Sequence, residues 1–258
     1  EMHKSKGNAI WFEDAADVMG VDAMRWLYAR HNPAANLNFG YGAADEVRRR
    51  FIIPLWNVYS FFVTYANIDN YDPSTTGPAM EMRSELDQWI ISELNNLVTQ
   101  MTASLENYEP DRATRMAEDF VGYLSNWYVR RSRRRFWKSG VINSDDDVDT
   151  DKLSAYSTLY ECLIKLTRLL APIMPFVTES MYQNLSMPLV DSCKSVHLTS
   201  YPLSDRSLVD ENLSTATRLA MRLSSMGRAA RSKAGLKVRQ PLQKIMIKLD
   251  TASEYSLL

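Results

Sequence analysis

The pattern of apolar and polar positions along this chain is dominated by the helical period. Between residues 84 and 108, apolar side chains fall at Leu86, Trp89, Ile90, Leu94, Leu97, Met101 and Leu105, steps of three and four that line one helix face. Ser84, with Asp87 three residues later, has the form of a capping box at the start of that helix. The same period predicts a second helix over about 111–137 and a third from Thr150 to near Pro172 and Pro175. It also predicts a short helix over "FVTESMYQNL" and a last one over about 210–234, stopped by Gly235. Residues 9–32 alternate short apolar groups with acidic caps and one glycine, which predicts one or two short helices. "SVHLTSYP", 195–202, reads as extended, and the alternation that starts at 242 suits a strand. The expected fold class is mainly α, an antiparallel helical bundle with a smaller N-terminal piece. The expected divisions are 1–45, 46–202 and 203–258.

Residues 51–68, "FIIPLWNVYSFFVTYANI", carry no charge and just reach the length of a membrane span. Asn57, Ser60, Thr64 and Asn67 recur at steps of three, four and three, which puts a polar stripe on one face. The stripe favours a buried, aromatic-rich core helix over a membrane span.

The most informative element is the helix that ends in "RRSRRR". Phased at about 100° per residue from Trp127, its core stripe takes in Ala113, Met116, Phe120, Tyr123 and Leu124. Continued without a change of phase, the same stripe runs into Arg130, Arg131 and Arg134, while Arg133 and Arg135 lie off it. Guanidinium groups on a buried face need carboxylate partners or an exit toward an anion. Arginines beside Trp137 suit phosphates and unstacked bases. The alternative is an internal salt-bridge network with the aspartates of 145–151.

Charge sharpens this picture. The net charge of −1 excludes a uniformly basic nucleic-acid binder, but residues 212–249 hold nine Lys or Arg and no Asp or Glu. Within that run Arg228, Arg231, Lys233, Lys237 and Arg239 read either as a solvated helix face or as a polyanion surface. The two cysteines, Cys162 and Cys193, make neither a zinc quartet nor a disulfide framework, and point to a reducing cytosol. His3, His31 and His197 have no partner at metal-ligand spacing, so no metal site is expected. At the start, Lys4 and Lys6 flank Ser5 ahead of Gly7, a weak phosphate loop that is not a P-loop.

Taken together, these blocks resemble the class I aminoacyl-tRNA synthetases. "MHKSKGN" is similar to their Lys-Met-Ser-Lys-Ser loop. "NWYVRRSRRRFWKS", 126–139, resembles the anticodon-binding region of the isoleucine branch, as do "LLAPIMPFVTESMYQNL", "SVHLTSYP" and "GRAARSKAGLKVRQPL", in that order. The resemblance implies a class I anticodon-binding bundle behind a small stem-contact segment. It implies tRNA(Ile) as partner through Arg130, Arg131, Arg133, Arg134, Arg135, Trp137, Arg231, Lys233, Lys237 and Arg239. The whole enzyme would ligate isoleucine to tRNA using ATP with Mg2+, and Lys4, Ser5 and Lys6 would meet the ATP phosphates. Glu1 stands where the loop's first lysine belongs and His3 replaces its first serine. No His-x-Gly-His motif, nucleotide-binding sheet or editing domain is legible. The expectation is therefore a C-terminal piece of a cytoplasmic ligase, inactive and without a cofactor by itself, whose partners include the remaining nucleotide-binding and editing domains. A valyl or leucyl enzyme, and a helical protein-interaction module with no RNA role, remain the alternatives.

Overall fold

A computed structural model describes residues 9–140, 142, 148–187, 189 and 193–249. Lys4, Ser5 and Lys6 lie outside the described residues. The described chain forms α1 (Phe12–Met19), α2 (Val21–Arg30), α3 (Tyr41–Asp69), α4 (Glu85–Glu106), α5 (110–137), α6 (Thr150–Leu170), α7 (Pro175–Ser186) and α8 (Glu211–Lys233), with no β-strand among those residues. The expected α class and antiparallel bundle are what the chain adopts. Residue 45, the expected edge of the N-terminal unit, lies inside α3, so the unit and the bundle share a helix.

Local chemistry explains the helix ends. The predicted capping box forms, with Ser84 Oγ accepting from the Asp87 amide at 3.3 Å and the Asp87 carboxylate accepting from the Ser84 amide at 3.2 Å. Pro110 and Pro175 open α5 and α7 at positions where an amide hydrogen is not needed. At the end of α8 the Leu236 amide donates to the Arg231 carbonyl at 2.9 Å, and Gly235 supplies the left-handed turn with φ +67°.

Two extended readings are corrected. Residues 196–198 form a 3-10 turn, because Ser195 accepts from the His197 amide while Glu179 accepts from the Ser195 hydroxyl and the Val196 amide. The alternation after 242 makes no strand over residues 242–249. A strand needs a paired edge, and the described residues offer none. Ile245–Leu249 instead lines a groove with Leu223, Met226 and Ala230 of α8.

Helix α3 is the one described helix long and apolar enough to cross a membrane. It packs one face on the core: Phe51, Leu55, Val58, Tyr59 and Phe62 are buried, Asn57, Thr64 and Asn67 face outward, and so do Ile53, Trp56 and Ile68, so the helix is less buried than expected. Its first half receives the N-terminal unit. Trp26 stacks on Phe51 at 3.9 Å with both rings buried, and its Nε1 donates to Glu118 of α5 at 3.0 Å. Arg30 pairs with the same carboxylate at 2.9 Å, and Arg25 donates to the carbonyls of Pro172 and Ile173 at 2.8 Å. Asp22 accepts from the amides of Phe176 and Val177 at the start of α7.

The other end of the bundle is closed by a second polar set. Lys152, almost fully buried, pairs with Asp69 at 2.8 Å and donates to the carbonyl of Lys138 at 2.7 Å. Tyr156 donates to Asp69, and Asp149 caps α6 by accepting from the Lys152 amide at 2.9 Å.

Two outcomes follow from this packing. Phe51→Ala removes the ring under Trp26 and should cost about 3–5 kcal/mol in urea denaturation. The cap bond to Lys152 comes first among the causes that, together with Lys138, hold the Asp149 carboxyl below its ordinary value of 3.8 against partial burial. The stability from a depressed carboxyl is present above the ordinary value and disappears as pH falls through the lower folded one. Asp149→Ala should therefore cost about 1 kcal/mol at neutral pH, and its melting curve should converge on the parent's in acid.

Candidate nucleic-acid interface

The candidate interface lies at the C-terminal end of α5, and its orientation depends on a departure from regular helix. Residues Leu124–Val129 form a π-helical turn, in which hydrogen bonds reach one residue further than in an α-helix. That wide turn absorbs one residue, so the phase beyond it slips by about 100°. The inner face then carries Tyr128, Val129, Ser132 and Phe136, all buried, with Arg135 beside them. This corrects the expectation of an unbroken arginine stripe. Arg130, Arg131 and Arg134 do not point into the core; they are exposed, as is Arg133.

Arg135 is the second correction. Its guanidinium fork donates from Nη1 and Nη2 to the two oxygens of Asp87 at 2.8 and 2.7 Å. Nη2 also reaches the Asp151 carbonyl at 2.8 Å, and Nε lies 2.9 Å from the Asp151 carboxylate as an ion pair. Asp87 is wholly buried, and the Arg135 side chain is 12 % exposed. Tyr128 completes the cluster by donating to Asp87 Oδ1 at 2.6 Å. Burial, then the Asp87 charge, raises the Tyr128 hydroxyl pKa well above its ordinary value. Burial opposes the Arg135 charge, but the bonds and charge of Asp87 and the charge of Asp151 outweigh it and raise its pKa further. A buried pair of this geometry costs about 3–5 kcal/mol when one partner is removed. Arg135 is therefore a structural residue and does not belong with the four surface arginines around it.

The internal salt-bridge alternative is thus realised for one arginine. Asp149 and Asp151 also pair with Lys138, at 3.6 and 3.4 Å. Asp145, Asp146 and Asp147 lie outside the described residues. No carboxylate among the described residues pairs with Arg130, Arg131, Arg133 or Arg134; Arg131 lies 5.9 Å from the Trp127 ring centre as a cation–π contact. Trp137 is 56 % exposed, and its Nε1 donates to the Tyr65 hydroxyl at 2.7 Å. The result is one end of the bundle that presents four guanidinium groups and an indole held in orientation from α3.

The second basic region is arranged differently. Helix α8 rests on α4 near its own start, where Ser214 and Leu219 are buried, Ser92 and Ser214 share a hydrogen bond at 3.1 Å, and Arg218 meets Glu93 at 3.2 Å. Arg228, Lys233, Lys237 and Arg239 are exposed further along. Arg231 donates from Nη1 to the carbonyls of Lys237 and Gln240 at 2.9 and 2.8 Å, so it also braces the turn after α8.

Sequence reasoning missed Tyr65, Asp87 and Tyr128 as parts of this end. Asp87 was legible only as a cap. The signal for the slip was Ser132, the one small residue in the arginine run, which marks where the inner face has to pass.

Residues 87–246 match the family described as the anticodon-binding domain of tRNA ligase. Isoleucine–tRNA ligases of Dehalococcoides mccartyi and Thermus thermophilus are 53 % and 41 % identical to it, each over 98 % of this chain and 24 % of their own length. That of Porphyromonas gingivalis is 42 % identical over 96 % of this chain and 21 % of its own. The chain thus spans about a quarter of the length of these relatives. The crystal structure of a LeuRS of Agrobacterium radiobacter, in a ternary complex with tRNA and LeuAMS, superposes with a TM-score of 0.57 at 16 % identity, over 81 % of this chain and 23 % of that one. At that identity the likeness speaks for the fold alone. Because the matched region takes up well over half of its residues, this chain belongs to the anticodon-binding domain family of tRNA ligases.

Proposed function

We propose that this chain is the anticodon-binding region of an isoleucine–tRNA ligase and that its partner is tRNA(Ile). The observation that carries the reading is the end of α5, where Arg130, Arg131, Arg133 and Arg134 stand exposed without described carboxylate partners beside Trp137. Guanidinium groups suit phosphates and a half-exposed indole suits an unstacked base. The identity to isoleucine–tRNA ligases favours isoleucine over valine or leucine as the amino acid of the whole enzyme. Lys233, Lys237 and Arg239 would add phosphate contacts, and Arg231 would do so with the guanidinium nitrogens that do not brace the turn.

The whole ligase would use ATP with Mg2+ in the cytoplasm, together with its nucleotide-binding and editing domains. Lys4, Ser5 and Lys6 would meet the ATP phosphates there and offset charge on the departing pyrophosphate. This chain alone would be silent, since it carries no His-x-Gly-His motif and its described residues form no nucleotide-binding sheet. Positioning of both substrates is what the reaction requires.

Two measurements test this. Titration with a tRNA(Ile) transcript should lose affinity steeply with salt, and Arg130→Glu with Arg134→Glu should weaken binding and flatten the salt slope by about 0.7–0.9 for each phosphate left without its arginine. Unchanged binding by that doublet would favour the protein-interaction reading, and preference for a valine tRNA would move the assignment to the valyl branch. Isoleucine-dependent ATP–pyrophosphate exchange by the purified chain should be absent; measured exchange would overturn the proposal that it is silent.

A further inference from the structure

The last two turns of α5, residues Arg130–Trp137, turn one apolar side chain fully into the core, Phe136, whose ring lies 5.0 Å from Phe61 and 4.7 Å from Tyr156. Ser132 and Phe136 are the buried residues of this segment, and its end is held at the Lys138 carbonyl, which accepts from Lys152 Nζ at 2.7 Å. Arg130 and Arg134 stand four apart, as do Arg131 and Arg135, and like charges at that spacing push a helix apart. Two phases compete for the segment. Continued as a regular α-helix from buried Ala117, Phe120, Val121 and Leu124, the inner positions would fall to Tyr128, Arg131 and Arg135; after the wide turn they fall to Val129, Ser132 and Phe136, with Arg135 at their edge. The first phase would put an arginine where fully buried Ser132 now sits.

Beside Phe136, one carboxylate holds the observed phase. Tyr128, inside the wide turn, and Arg135, two turns on, both donate to Asp87 Oδ1, at 2.6 and 2.8 Å. Asp87 is itself held by the Ser84 cap at the start of α4, with the Ser84 hydroxyl donating to Oδ2 at 2.7 Å. Turning the segment back by one residue would disturb the Arg135 fork, draw Phe136 off its ring contacts and bring Arg131 to the place of Ser132. We propose that Asp87, Tyr128 and Arg135 are positioning residues for RNA binding: they lock the rotation of the end of α5 so that Arg130, Arg131, Arg133 and Arg134 all face outward. This rests on the RNA-binding reading above.

The experiment compares Tyr128→Phe and Arg135→Lys with the parent chain. Both keep side-chain size close to the original, and the second keeps the positive charge, so a missing charge does not explain its effect. Ile173→Val, at the other end of the bundle, serves as a control of mild instability. Thermal midpoint, affinity for the tRNA(Ile) transcript at two salt concentrations, and amide exchange over 130–137 are measured for each. Tyr128→Phe and Arg135→Lys should each bind about tenfold more weakly, with a shallower salt slope and faster exchange over 130–137. Ile173→Val should lower the midpoint without either change. Parent-like affinity and slope in both variants, or an equal loss in Ile173→Val, would overturn the proposal. If Arg130→Glu with Arg134→Glu weakens binding while these variants do not, positioning alone fails. If that doublet binds as the parent does, the RNA reading falls and the proposal falls with it.

Discussion

The buried carboxylate of Asp87 is the interaction on which the charged end of this bundle depends. Its two oxygens accept from the Ser84 cap, the Tyr128 hydroxyl and both ends of the Arg135 fork. Three helices meet there, since Arg135 also reaches Asp151 at the start of α6. A carboxylate with no solvent exposure is tolerable only when its lone pairs are satisfied and a counter-charge stands beside it. Asp87 has both.

Helix α5 connects two specialised ends. Glu118 accepts from Trp26 and pairs with Arg30 of the N-terminal unit, whereas Arg135 anchors the arginine end. The seventeen steps from Glu118 to Arg135 span roughly 25 Å of helix. The wide turn at Leu124–Val129 lies between these two anchor points. Each end therefore has its own polar anchor, and the π-helical turn reconciles the phases that the two anchors demand.

The arginine end also illustrates how one run of like charge divides its labour. Five arginines crowd into six residues, yet one is drawn inward to neutralise a buried acid and four are left to solvent. On α8 the division is similar but looser: Arg218 answers Glu93 and Arg231 braces a turn, while the rest of the basic run extends over an exposed helix and the segment after it.

The sequence by itself determined the helices, because periodicity, the Ser84–Asp87 capping box, Pro110, Pro175 and Gly235 act within a few residues of where they are written. It also determined which segments are basic and which family they resemble. It did not determine which arginines face out. A fixed 100° step carries no record of a wide turn, and the partners met beyond it are remote in sequence: Asp87, more than forty residues earlier, for Tyr128 and Arg135, and Phe61 and Tyr156 for Phe136. Nor did the alternation after 242 determine a strand, because a strand exists only where another edge pairs with it. Local propensity wrote the elements; long-range packing and charge pairing chose the rotation of the end of α5, and with it the face offered to solvent.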